Sequence, residues 1–137
     1  MVKVIMGVKG SGKTKEMVRL VNEAIKVEHG NVVCIEHGPN MTFDIDYRAR
    51  LIDFTSLPVK KTFDQLKGFI CGLYAGNFDI THIFIDSLYK IAAANTPEET
   101  DEFLKFCDDF STAHGVNFTM TISADVANAS ETMKKFF

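Results

Sequence analysis

Two periods alternate along this chain. Short runs rich in β-branched and apolar residues, Val2 to Met6, Val32 to Ile35, Ile83 to Ile85 and Val116 to Ile122, read as strands of a parallel sheet buried on both faces. Leu51 to Phe54 is short enough to read either as a further strand or as loop. Between these runs the apolar positions recur every three or four residues, which is the spacing of one helical face. The first such stripe, from Lys13, holds Met17, Val18, Val21, Ala24 and Ile25 and is expected to end at His29-Gly30. The second holds Phe63, Leu66, Phe69, Ile70, Leu73 and Tyr74. In the third, Thr96-Pro97-Glu98-Glu99 supplies an N-cap, a first-turn proline and a capping-box glutamate. Phe103, Leu104, Cys107 and Phe110 then point inward as far as His114-Gly115. Val126, Ala129, Met133 and Phe136 mark a last helix running to Phe137.

Gly68, Gly72 and Gly76 fall every four residues along another face of the second helix. Glycine disfavours helix, so this face is expected to permit close packing against the sheet. Gly38 to Arg50, with Gly-Pro, Asn, Thr and Asp, reads as a long loop. The alternation predicts an α/β fold, a three-layer α-β-α sandwich with a mainly parallel sheet of four to five strands, in one domain spanning residues 1–137. Ligands of such sheets bind beyond the carboxyl ends of the strands, where Gly7, Glu36, Asp86 and Ser123 all fall.

Composition narrows the field. With 46% hydrophobic and 24% charged residues the chain has the make-up of a globular domain able to bury a single core. A net charge of −3 offers no global attraction to nucleic acid or anionic lipid, so neither is an expected partner. Cys34, Cys71 and Cys107 are odd in number and widely spaced, which fits reduced thiols and a cytoplasmic location better than a disulfide framework. The apolar N-terminal run is too short for a signal peptide, and no stretch reaches the roughly 20 apolar residues of a membrane helix.

The most specific feature is Gly7-Val8-Lys9-Gly10-Ser11-Gly12-Lys13-Thr14, which matches G-x-x-x-x-G-K-[ST] between a strand and a helix. Glycines let the backbone curl so that successive N–H groups face a phosphate chain. Lys13 would place an ammonium against the β and γ phosphates, and Thr14 would offer its hydroxyl to Mg²⁺. Val8, Lys9, Gly10, Ser11, Gly12, Lys13, Thr14 and Lys15 are therefore the expected nucleotide-binding residues, with ATP and Mg²⁺ as ligands. A dinucleotide loop, G-x-G-x-x-G, is excluded because position 15 is lysine.

Asp86, after Ile83-Phe84-Ile85, stands where a carboxylate supporting the metal is needed, so Thr14 and Asp86 are the expected metal residues. Ser87 follows it, and the adjacent carboxylate of many hydrolytic P-loop ATPases is missing. Ser123 reads either as a polar contact to the γ-phosphate or as the N-cap of the last helix. Neither Asn-Lys-x-Asp nor Ser-Ala-Lys is present, which favours ATP over GTP.

From Val2 to His37, and again over Ile85-Asp86-Ser87-Leu88, the chain resembles the nucleotide-binding core of RecA-type P-loop ATPases. That resemblance implies the P-loop NTPase fold and a water-activating glutamate after the second strand, a role that falls on Glu36; read alone, Glu36 is a solvated strand-end carboxylate. With Lys13 it completes the expected catalytic pair. The same stretch is similar to type II thymidine kinases, but their paired zinc-ligand cysteines and the glutamate after the strand-end aspartate are lacking. The whole length resembles short stand-alone bacterial P-loop proteins that often carry a twitching-motility ATPase label. The acidic and histidine boxes of pilus retraction motors are not found in it.

The expected activity is a weak or partner-stimulated Mg²⁺-dependent ATPase. The alternatives are a small nucleoside or metabolite kinase with its acceptor at the Gly38 to Arg50 loop, and a non-catalytic nucleotide-gated interaction module. His37, His82 and His114 have no ligand-spaced partners and read as core or surface residues. Arg48 and Arg50 read as surface arginines or as fingers toward a γ-phosphate. Phe136-Phe137 lacks an evident cover, which leaves a protein partner or self-association open.

Overall fold

The computed structural model describes residues 1–42, 44–93 and 96–137. Its elements in chain order are β1 (Val2–Gly7), α1 (Lys13–Val27), β2 (Asn31–Glu36), β3 (Arg50–Asp53), α2 (Phe63–Gly76), β4 (Ile80–Ile85), α3 (Leu88–Ile91), α4 (Pro97–His114), β5 (Asn117–Ser123) and α5 (Glu131–Lys134). Phe54–Ser56 and Val126–Asn128 are single 3-10 turns. The five strands form one sheet in the order β1-β5-β4-β2-β3, and every pairing is parallel.

Parallel strands need crossovers, and a right-handed crossover dictates which face each connection covers. Leading from β1 to β2, α1 buries Met17, Val21 and Ala24 against Val32, Cys34 and Phe84 on one face. The β2 to β3 connection travels in the same direction across the sheet, so it must cover the same face; Met41, Ile45 and Ala49 pack into the α1 cluster. The chain then turns back, and α2 and α4 cover the opposite face. There Leu66, Ile70, Phe103, Leu104 and Cys107 close over Val4, Ile35, Ile85 and Met120. Helices thus flank an all-parallel sheet on both sides, as the alternation of patterns implied.

Several boundaries differ from the sequence expectation. β4 begins at Ile80 because Thr81 and His82 continue the strand despite their polarity, and β3 occupies Arg50–Asp53 as an edge strand. Helix α1 stops at Val27, before His29-Gly30, with the Glu28 N–H bonded to the Ala24 carbonyl. The expected last helix is broken in two. Asp125 accepts from Ala127 N and Ser130 Oγ accepts from Met133 N, so each starts its own turn while Ala129 between them is extended. Ser123 caps neither turn. Phe136 is half-buried on the core and its carbonyl accepts the Val4 N–H at 2.7 Å, which covers one of the two phenylalanines that seemed bare. Phe137 remains 50% exposed.

The glycine face of α2 does not meet the sheet. Gly68, Gly72 and Gly76 are exposed, and a Cβ on any of them would have nothing within 4 Å. Gly30 is the opposite case, since a Cβ there would collide with the Asp79 carbonyl and the Thr81 side chain. The capping of α4 is as expected, with Thr96 Oγ accepting from Glu99 N, Pro97 in the first turn and Gly115 at φ 68° after the last. All three cysteines are unbridged. Among the described residues no helix is long and apolar enough to cross a membrane.

The carboxyl end of α1 is anchored by a buried polar chain. His82 Nδ1 lies 2.6 Å from Glu28 Oε2, its Nε2 lies 2.9 Å from Thr119 Oγ1, and its ring stacks on Phe84 at 3.9 Å. Burial pulls the imidazole below its ordinary value near 6.5, against the opposing pull of Glu28.

Two outcomes are expected. Gly68→Ala and Gly72→Ala should each stabilise the fold by about 0.5–1 kcal/mol, because α2 gains helix propensity with no clash, whereas Gly30→Ala should destabilise it by about 1–3 kcal/mol. Urea denaturation of the three variants checks the opposite signs. Because the folded pKa of His82 is depressed, the unfolded chain binds the extra proton between the two values. Stability is then complete above about pH 6.5 and falls as pH drops through that window. Denaturation at pH 7.5 and pH 5 should show this slope flattened in His82→Gln; an equal slope would contradict it.

Candidate functional site

Four neighbouring strand ends and the start of one helix frame the site. Gly7 closes β1 beside Ser123 of β5, while Ile35 of β2 stands beside Ile85 of β4, so that Glu36 and Asp86 emerge next to each other. Between Gly7 and α1 the chain makes a tight loop in which Gly10 and Gly12 take φ of 84° and 86°, a conformation that side chains disfavour. Ser11 N donates to the Val8 carbonyl at 3.2 Å across this loop. Lys13 Nζ folds back over it, donating to the Val8 carbonyl at 2.9 Å and to Ser11 Oγ at 3.3 Å. No side chain caps α1, in contrast to α2 and α4, where Thr62 and Thr96 accept from the first turn. The first N–H groups of α1 and its positive dipole end therefore face the loop without a side-chain cap.

Thr14, in the first turn of α1, donates from Oγ1 to Asp86 Oδ2 at 3.2 Å, joining residues 72 positions apart. Asp86 is only 6% exposed, and its own N–H is held by the Ile35 carbonyl at 2.9 Å. Its other oxygen, Oδ1, accepts from Thr121 Oγ1 at 2.7 Å. Ser87, the next residue, has φ 59° and ψ 57°, and its N–H donates to the same Thr121 hydroxyl at 2.8 Å.

A cleft of about 380 Å³ opens in front of this cluster. Of the residues expected from sequence, it gathers Lys9, Gly10, Gly12, Lys13, Thr14, Lys15 and Ser123. Val8, Ser11 and Asp86 lie outside its lining; Val8 and Ser11 serve as acceptors for Lys13, and Asp86 stands behind the Thr14 hydroxyl. Three further lining residues escaped the sequence reading: Ser87, Lys90 and Thr121. Lys90 sits two residues into the short α3, where no periodic signal singled it out. Thr121 is one of two threonines on the α1 face of β5, and its importance depends on the β4–β5 register. The cleft is strongly cationic in a chain of net charge −3, since Lys9, Lys13, Lys15 and Lys90 all border it.

Glu36 is not a solvated carboxylate. It is 2% exposed, and Oε1 accepts the N–H groups of Asn40 at 2.7 Å and Met41 at 3.1 Å, capping the turn after β2. Burial raises its pKa above the ordinary value of 4.5, with Asp53 and Asp86 adding to the effect and the two N–H bonds opposing it. It lies outside the cleft lining. Asp53 turns away to accept from Gly38 N and Thr55, which hold its carboxyl below the usual range.

Arg48 and Arg50 lie at the amino end of β3, opposite the strand ends that carry Gly7 and Asp86. Arg48 is bound to Asp46 at 2.9 Å. Both border a wider cleft of about 460 Å³ with Asn31, Val33, Gly72 and Gly76, which gathers no carboxylate or hydroxyl. The size of that cleft does not outweigh the chemistry of the smaller one. His82 is buried away from the lysine cleft, and Asp125 is occupied in capping its own turn.

The Thr14 hydroxyl and one Asp86 oxygen form a small set of hard oxygen donors. That suits Mg²⁺, which keeps several waters and takes one or two protein carboxylates beside phosphate oxygens. No group of three or more His, Cys, Asp or Glu side chains is assembled among the described residues, as an all-protein metal cage would need. The chain matches no protein-family model, and no similar curated protein was found.

Proposed function

We propose that this chain is a P-loop NTPase that binds ATP with Mg²⁺ at the Gly7 to Thr14 loop and hydrolyses it slowly, or at the prompting of a partner, in the cytoplasm. The observation that carries this reading is the Thr14 to Asp86 hydrogen bond at 3.2 Å. It brings the helix-start hydroxyl and the strand-end carboxylate together beside an uncapped helix and four lysines, the combination a polyphosphate with a divalent cation requires. A bound Mg²⁺ would supply charge neutralisation for the β and γ phosphates. Lys13 would exchange its bonds to Val8 and Ser11 for phosphate oxygens, and Lys9, Lys15 and Lys90 would add attraction from the rim. Ser123, at the cleft and free of a capping duty, is proposed to contact the terminal phosphate.

Glu36 is proposed as the proton acceptor for the attacking water. Two N–H bonds orient its carboxylate, and its raised pKa makes it a stronger base than an ordinary glutamate. Its place outside the cleft lining, together with serine at position 87, supports slow turnover. Within the Gly38 to Arg50 segment, whose Phe43 lies outside the described residues, Met41, Ile45 and Ala49 are buried with α1, which favours hydrolysis over transfer to a metabolite bound there.

Calorimetric titration with a non-hydrolysable ATP analogue, followed by phosphate-release assays, tests this reading. Lys13→Ala should weaken binding by at least about 100-fold, since bonds from charged groups contribute about 1.5–3 kcal/mol each, and should leave the fold intact. Unchanged affinity would remove the assignment. Asp86→Asn should weaken binding in Mg²⁺ far more than in EDTA.

Glu36→Gln keeps the acceptor for Asn40 and Met41 but cannot take a proton. ATP should still bind while phosphate release falls by about 100-fold or more. Release at the wild-type rate would move the base elsewhere. ATP consumption only with an added nucleoside would favour a kinase, and tight binding with no release under any condition would favour a non-catalytic module.

A further inference from the structure

We propose that Thr121 is a positioning residue that sets the metal preference of the site, holding Asp86 to one-oxygen coordination and so selecting Mg²⁺ over Ca²⁺. The inference rests on the nucleotide reading above. A threonine hydroxyl has one proton to donate and lone pairs to accept with. At Thr121 the accepting side is taken by the Ser87 N–H at 2.8 Å, which can only donate. The single proton therefore goes to Asp86 Oδ1 at 2.7 Å, and no alternative orientation of the hydroxyl satisfies both neighbours. Thr121 is 1% exposed, so water does not compete for these bonds.

The carboxylate is thereby divided. Oδ1 is committed to the interior, and Oδ2 is the oxygen that meets two residues of the cleft lining, the Thr14 hydroxyl at 3.2 Å and the Ser87 hydroxyl at 3.5 Å. A carboxylate held in this way offers one oxygen to an ion. Mg²⁺ accepts that readily, since it demands a compact octahedral shell and retains water. Ca²⁺ is larger, takes six to eight oxygens and gains from carboxylates that bind through both. The bond to Thr121 opposes the rotation that would present both oxygens. It also ties down Ser87, whose left-handed backbone places the following residues, Lys90 among them, at the cleft.

Thr121→Val removes the hydroxyl at nearly constant volume, Thr121→Ala removes it without adding apolar bulk should the valine variant fail to fold, and Thr121→Ser retains it. Affinity for a non-hydrolysable ATP analogue is measured for each in EDTA, in Mg²⁺ and in Ca²⁺. Wild type should prefer Mg²⁺. Whatever the change in EDTA affinity, the valine and alanine variants should lose a further factor of about 10 or more of the Mg²⁺ to Ca²⁺ preference, the range in which outer-shell partners act on metal sites, and serine should restore it. An unaltered preference without the hydroxyl would overturn the inference while leaving the nucleotide reading standing. Equal loss in all three conditions would also overturn it, because Thr121 would then support only the fold. Wild type that binds no nucleotide under any condition would instead defeat the nucleotide reading itself.

Discussion

Parallel pairing is the constraint on which everything else depends. Because all five strands run the same way, every connection must recross the sheet, and β1, β4 and β5 deliver their carboxyl ends to one rim. The right-handedness of those crossovers sends α1 and the segment after β2 to one face and α2 and α4 to the other. The site is a by-product of this geometry. The glycine loop has to turn beside β5, and the first turn of α1 has to descend toward β4, where Asp86 waits. No separate scaffold is needed to bring a hydroxyl and a carboxylate 72 residues apart within hydrogen-bond distance.

The α1 face carries a second theme. Along the apolar inner face of α1 lies a column of polar side chains, Glu28, His82 and Thr119 at one end and Thr121, Asp86 and Thr14 at the other. Buried polar groups are costly unless paired, and each of these has a partner. Such pairing gives α1 one definite axial position. A helix resting on aliphatic contacts alone could slide by fractions of a turn with little penalty, and the loop that precedes it would move with it.

Most of the layer architecture was legible in the residue pattern, because strands buried on both faces and amphipathic helices carry strong periodic signals. Four strands and three helices follow from it, and the caps of α4 could be read residue by residue. What escaped was set by tertiary context. Thr81 and His82 belong to β4 although no alternation announces them, since His82 takes its partners from Glu28 and Thr119 and Thr81 packs closely against Gly30. Gly68, Gly72 and Gly76 looked like a packing face, but a small-residue stripe does not say which way it points. The C-terminal stripe could not reveal that Asp125 and Ser130 would compete locally with a continuous helix. In the site, the loop, Thr14 and Asp86 were visible as a motif with a strand before and a helix after. The burial of Glu36 and the bridging of Thr121 depend on strand register, which one sequence does not encode locally.

The bond from Val4 N to the Phe136 carbonyl has a further meaning for how this molecule meets its own copies. β1 is an outer strand of the sheet, and an outer strand with free amides is a template onto which another chain can add. A single carbonyl from the C-terminal segment occupies an outward amide at the middle of β1, and Met133 and Phe136 lie on the core nearby. The segment thus occupies the amide that strand addition along β1 would need, and edge-to-edge association there would first have to peel it away.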